Sequence, residues 1–462
     1  FIKRTVKNNT TARFIFTMML YNRLKNTILF SVLIVVCSCN SEDKSYNNVF
    51  NDPLLYAKTV KELNNVVMQN NFPPIIASRN YAYANIAAYE TIAIWDKRYA
   101  SLTGYIKHLP ALPRLDTTRV NFHYASLLAY CKVGEAVTFP SGSMKTYTAM
   151  LDSLVKVSGM PDAVKLASNH LADSVANHIL RWSKKDNYAE TRTATKYTIT
   201  NEEGRWVPTP PAYLQALEPN WNKIRPMVMD SASQFMPPRP PSFNMNDKTS
   251  KFYQEVLAVK NAGDSLTDEQ KHIAMFWDDL GSKTIVNGHV MFTAKKFSPT
   301  GHWMNIVGIA AEKAKIDFNT TVYAYTKTAI AMYDAFIQCW DEKYRSNLVR
   351  PETAINQYID QEWHPFLQTP PFPEYTCGHS TISAAAAEAL TNVFGDNFAY
   401  TDTSELEFGI ANRSFTSFRH AAIENNWARF YGGIHFHHSC IISTEYGRKV
   451  GQWTNDRLQV KK

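Results

Sequence analysis

Cysteine is scarce, with six in 462 residues. Apart from Cys37-Ser38-Cys39 they are widely spaced, and no zinc-module or CxxC spacing occurs. There is no HExxH motif either, which removes the commonest sequence sign of a helical zinc hydrolase. Long apolar runs are also missing. Ile28–Val36 is too short for an ordinary membrane-spanning helix. No long acidic, basic or Gln-rich tract is present, so most of the chain is expected to fold. Alternating strand patterns are few. Hydrophobic residues make up 45% of the chain, enough for a sizeable core.

The positive charge is unevenly placed. The whole chain carries a formal +8. Residues 1–38 hold Lys3, Arg4, Lys7, Arg13, Arg23 and Lys25 and no acid, so the remainder carries 8 − 6 = +2. A nearly neutral body has no electrostatic footprint for nucleic acid. The chain opens on Phe1, and Met18 or Met19 is the better start. From there, Arg23 and Lys25 precede the short apolar run, as in a secretory signal peptide. The run ends in Val36-Cys37-Ser38-Cys39, which resembles a bacterial lipobox. The resemblance implies cleavage before Cys39, lipid on that residue and export to the cell envelope. The outer membrane or cell surface is the expected site, and the lipid anchor the only membrane contact. A plain signal peptide is the alternative.

After the leader (1–38), residues 39–50 read as a polar tether. Apolar residues then recur at three- and four-residue spacing across 51–204, a helical region. The predicted helices are Tyr81–Trp95, Val120–Ala136, Met144–Val157 and Ala163–Trp182. Nine prolines between Pro208 and Pro241 rule out a continuous helix over 205–242. The aromatic residues Trp206, Tyr213, Trp221 and Phe235 favour a packed loop there. Helical patterning resumes over 243–462, at Thr249–Ala262, Asp268–Trp277, Trp303–Ala314, Thr320–Trp340, Ser380–Val393, Ser414–Ala428 and Cys440–Asn455. The fold class is all-α, a large helical-bundle protein.

Three segments carry chemistry. In Lys343-Tyr-Arg-Ser-Asn-Leu-Val-Arg350-Pro351, two cations are seven apart. On a helix that spacing returns to nearly the same face, about 10 Å along. Pro351 biases Arg350 away from helical geometry, so a helix ends there. Taken alone, the pair reads as a solvated basic face. In Pro371-Phe-Pro-Glu-Tyr-Thr-Cys377-Gly378-His379-Ser380, a loop runs into a helix N-terminus, whose free amides and dipole favour an anion. Gly378 allows close backbone approach, and His379 offers acid–base chemistry. Alone, this pair reads as a cap or a packing contact. In Arg429-Phe-Tyr-Gly432-Gly433-Ile-His435, the glycines offer a turn that brings Arg429 and His435 to one point. Alone, His435 reads as a buried, satisfied histidine. His437 and His438 point away from His435 on a helix, which weakens a zinc reading.

In order and together, Lys-x6-Arg-Pro, Gly-His and Arg-x5-His resemble the motif set of the phosphatidic acid phosphatase and haloperoxidase superfamily. Thr369-Pro-Pro-Phe-Pro-Glu-Tyr and Phe372, seven before His379, extend the likeness toward the vanadium-dependent haloperoxidases. The motif resemblance spans roughly residues 268–455. It implies a vanadate cofactor, with Lys343, Arg350, Arg429, Cys377 and the Gly378 amide on its oxygens. His435 is implied as the ligand to the metal and His379 as the acid–base residue. The implied reaction oxidises halide with hydrogen peroxide to hypohalous acid, with an organic acceptor or a phosphate ester as further possible substrates. An acid phosphatase using a phosphohistidine at His435, or a weakly active oxyanion-binding lipoprotein, are the alternatives. The chain departs from the pattern at Cys377, Thr376, Ala428 and Ser439, where relatives usually carry serine, proline, serine and a carboxylate. Asp278 and Asp279 are candidates for a carboxylate supporting an arginine.

Overall fold

The computed structural model describes residues 45–279, 284–287, 290–293 and 295–462. The leader, Cys39 and the tether as far as residue 44 lie outside the described residues. Asn47–Lys462 forms one compact unit.

The predicted helices form, with ends set by local chemistry. Helix α1 (Pro53–Gln69) starts where the Asp52 carboxylate accepts the Leu54 amide and Pro53 supplies a pre-set φ. Its buried Leu55, Tyr56, Thr59, Val60, Leu63, Val66 and Val67 form one stripe. Helix α2 (Pro74–Ala93) is buried along nearly its whole length and is wrapped by α3 (Phe122–Ala136) and α5 (Asp162–Ser183). The more exposed α4 (Lys145–Ser158) lies between these two in sequence. Then come α6 (Lys251–Asp264), α7 (Asp268–Phe276) and α8 (Pro299–Ala314).

Helix α9 (Phe318–Ser346) is the spine. Its 29 residues span about 44 Å. It packs on α2 at one side, and on α11 (Gly378–Phe394) and α13 (His437–Arg457) at the other. Between them in sequence lie α10 (Pro351–Tyr358) and α12 (Phe418–Tyr431). Alanines 384–387 thin α11, and glycines on α13 complete the close approach. A Cβ at Gly447 would sit 2.2 Å from the Thr381 carbonyl oxygen, and one at Gly451 2.8 Å from that of Ala385.

The proline-rich stretch is a packed loop. Trp206, Trp221 and Met227–Met229 are buried. The Asp334 carboxylate on α9 accepts the amides of Met227, Val228 and Met229 at 2.6, 2.8 and 2.9 Å. The Leu217 amide donates to Pro371, joining this loop to the Gly-His segment.

Two expectations are corrected, the helical reading at Ser414 and the shared helix of Lys343 and Arg350. Residues 413–415 are not helical: they pair antiparallel with 400–402, and α12 begins only after Ser417 caps it. A hairpin joins 284–287 to 290–293. Lys343 and Arg350 do not share a helix. Helix α9 stops at Ser346 because Asn347 is left-handed (φ 48°), and Arg350 is extended, just before α10. Cys131, Cys339, Cys377 and Cys440 are all free and buried. Among the described residues no helix is long and apolar enough to cross a membrane.

Candidate active site

Chain reversal, rather than helical spacing, brings the first two cations together. Lys343, in the last turn of α9, donates to the carbonyls of Pro373 and Glu374 at 2.9 and 3.1 Å. After the turn, Arg350 points back, with Nε donating to Phe372 O and Nη1 to Ile434 O, both at 2.8 Å. Its Nη1 also lies 3.1 Å from His435 Nε2. Both cations are fully buried. Burial lowers Lys343 to about 8 and Arg350 to about 10.

The second segment arrives as predicted, at the start of α11. Cys377 is its N-cap and Gly378 its first residue. A Cβ on Gly378 would lie 3.4 Å from the Trp340 ring, so glycine leaves the backbone accessible there. The third segment also turns as expected. Arg429 lies in the last turn of α12, Gly433 is left-handed (φ 75°), and His435 stands just before α13. A Cβ at Gly433 would approach Pro365 and Trp363 to 3.0 Å. Gly378, His379, Arg429 and His435 line one small cavity, walled on its apolar side by Phe336, Trp340, Phe372 and Ile434. Arg350 reaches that group through His435, while Lys343 and Cys377 lie buried behind the lining. His437 stacks on Trp427, with ring centroids 4.3 Å apart.

Glu374 was quoted in the second motif without a role. Its Oε1 lies 2.7 Å from His435 Nδ1 and accepts the Phe436 amide, and its Oε2 accepts from Ser439 Oγ at 2.8 Å. The carboxylate that the sequence lacks at Ser439 is therefore supplied from another loop, with Ser439 as its donor. The Nδ1 proton goes to Glu374, which leaves the Nε2 lone pair of His435 directed at Arg350.

His379 Nε2 lies 3.5 Å from Arg429 Nη1 and 4.0 Å from Asp279 Oδ2. Burial first, then the Arg429 charge, lowers His379 to about 3, so the ring is neutral. Asp279 thus faces histidines, His379 and His302, rather than the arginine expected for it. Arg429 instead donates from Nη2 to the Trp277 carbonyl at 2.5 Å. Burial would raise the Cys377 thiol. A hydrogen bond with Cys440 is the largest influence acting the other way.

The electrostatics ask for an anion. Arg350 Nη2 and Arg429 Nε are buried without a hydrogen-bond partner. Such guanidinium nitrogens are costly unless something negative meets them. A tetrahedral oxyanion satisfies that requirement, with the Gly378 end of α11 adding a dipole of the right sign. The donor set therefore fits vanadate.

A helical bundle that brings Arg429, His379 and His435 to one cavity, with Arg350 and Lys343 buried behind it, defines an oxyanion-handling helical protein. The family model described as the VCPO second helical-bundle domain matches residues 324–461, which include all three motifs. A solved structure of the first bacterial vanadium-dependent iodoperoxidase is 43% identical, covering 88% of this chain and 97% of that one with a TM-score of 0.82. Holo- and apo-type bacterial vanadium-dependent chloroperoxidases are similar at 17% identity and TM-score 0.64, which is a likeness of fold. They cover 85% and 84% of this chain, and 94% and 95% of their own. No curated protein sequence gives a match. The chain belongs to the vanadium-dependent haloperoxidase family.

Proposed function

We propose that this protein holds vanadate in the cavity between α9, α11 and α12 and uses hydrogen peroxide to oxidise halide to hypohalous acid. The observation that carries the reading is the pair of buried guanidinium nitrogens without partners, on Arg350, which contacts His435 Nε2 through its other terminal nitrogen, and on Arg429, which lines the same cavity as His435. Arg350, Arg429 and the Gly378 amide would hold the oxygens through charge-assisted bonds, with Lys343 buried behind them adding its charge. His435 would hold the metal through Nε2 in place of its contact with Arg350, its tautomer fixed by Glu374. Bound vanadate supplies a Lewis acid that activates hydrogen peroxide without changing its own oxidation state. His379, neutral at the cavity wall, holds or moves a proton, since forming hypohalous acid and water from peroxide and halide consumes one. Phe372 and Trp340 limit water around these groups.

Iodide is the first halide to test, on the strength of the iodoperoxidase likeness. The reading extends to a lipoprotein anchored at Cys39, supported by the leader pattern alone. In the deciding experiment, vanadate-loaded protein is assayed for iodide oxidation and vanadate-free protein for phosphate-ester hydrolysis. The expected outcome is peroxide-dependent iodide oxidation that requires vanadate and falls when phosphate competes during loading. Iodide oxidation indifferent to vanadate, or phosphatase activity alone, would overturn the proposal.

A further inference from the structure

Behind His379 lies a second buried cluster, set on α8 and the 400–405 segment. His302 is 0% exposed, and its two ring nitrogens meet two carboxylates: Nδ1 to Asp279 Oδ1 and Nε2 to Asp402 Oδ2, both at 2.9 Å. The other oxygen of Asp402 accepts from the amide and hydroxyl of Ser404 at 3.0 and 2.7 Å. The other oxygen of Asp279 is the one 4.0 Å from His379. We propose that His302 is a positioning residue for the peroxidase site, acting on His379 through Asp279.

The argument begins with donors and acceptors. An ionised carboxylate only accepts, so both ring nitrogens of His302 must donate, which requires an imidazolium. Burial acts to remove that proton; Asp279 and Asp402 together hold it. In turn the imidazolium keeps Asp279 ionised in a fully enclosed position. Among the described residues the other acidic neighbour of the ring is Glu405, 3.8 Å from Nδ1 and 3.2 Å from Lys296, its carboxyl raised by burial to about 7. Asp279, His302 and Glu405 also approach one another closely enough to suggest a cation site. A cation there would need a His302 lone pair, and both nitrogens are already committed as donors.

The imidazolium also stacks on Trp277, with ring centroids 4.7 Å apart and planes 23° apart. Trp277 carries the carbonyl that receives Arg429. One buried cation therefore grips both the carboxylate facing His379 and the residue that steadies Arg429. Neither His302 nor Asp402 lines the cavity, so their influence is indirect.

The test rests on the reading that His379 handles a proton in the peroxidase reaction, and it has an arm that needs no turnover. In full-length protein labelled at histidine nitrogen and free of vanadate, one histidine should keep both ring nitrogens protonated from about pH 6 to about pH 9. That signal should vanish in His302→Gln. Asp402→Asn preserves shape and hydrogen bonding while letting His302 become neutral. It should lower kcat about tenfold, with KM for iodide and equilibrium vanadate affinity each within about twofold of wild type. A His302 that is neutral at pH 7 in the wild-type protein overturns the proposal, even if Asp402→Asn does not fold. So does an Asp402→Asn enzyme with wild-type kcat. Parallel loss of kcat, vanadate affinity and melting temperature would also overturn it, because that pattern marks a structural role. A wild-type protein without peroxidase activity would instead defeat the functional reading, while the nitrogen spectra still report the state of His302.

Discussion

Glu374 has the most specific consequence for mutagenesis at the residue scale. It is buried, it fixes His435 through Nδ1, and it stands where chain reversal also brings Lys343. Glu374→Gln keeps the shape and one oxygen for His435 and the Phe436 amide, while Ser439 can rotate its hydroxyl to accept. The fold should therefore survive. What is lost is the negative charge that raises the basicity of the imidazole, and loss of such support typically weakens metal binding roughly 10–100-fold. Equilibrium vanadate binding should show that loss with little change in melting temperature. Binding within about twofold of wild type would show that Glu374 only packs. Motif order had already singled out Lys343, Arg350, Gly378, His379, Arg429 and His435, because each motif has a fixed local spacing. It was silent on Glu374 as a partner of His435, 61 residues away, and on His302, whose partners lie 23 and 100 residues away. Such contacts are made by packing and leave no local pattern.

The elements were legible for a different reason. Apolar spacing marks the helices, while their starts are set by Asp52, Ser250, Thr267 and Asp317, each of which bonds an amide of its helix. The end of α9 was misjudged because a left-handed asparagine, not Pro351, stops it. Strand 413–415 was missed because three residues are too few to show a period. The 205–242 loop has no period at all, and its order comes from tertiary acceptors. Asp334 is the main one, receiving three consecutive amides. Asp334→Ala would leave these donors buried and unsatisfied, at a cost of about 3 kcal/mol or more in denaturant unfolding. A loss below about 1 kcal/mol would mean the loop is held elsewhere. Burial raises Asp334 to about 6, the three amides acting the other way. Its folded value thus exceeds the unfolded value of about 3.9, so folding takes up a proton there. The stability difference between wild type and Asp334→Ala should be largest below about pH 4 and shrink as pH rises through about 6.

For the whole molecule, charge distribution bears on where it resides. Without residues 1–38 the formal charge is 8 − 6 = +2. Basic clusters that hold proteins on anionic membranes contribute about 1 kcal/mol per residue near the surface, and that attraction is screened by salt. A nearly neutral body draws little from this source. Membrane retention through Cys39 would instead come from buried acyl chains, at about 0.8 kcal/mol per methylene, which salt does not weaken. The expected result is that wild-type protein stays with membranes through a wash of about 1 M salt, where the screening length is about 3 Å, and leaves with detergent. Cys39→Ser should move it to the soluble fraction, or leave it unprocessed, with vanadate affinity unchanged, because the site lies wholly within Asn47–Lys462. Release of the wild-type protein by salt alone would point to electrostatic adhesion. An intact mass without lipid on Cys39 would overturn the anchor outright.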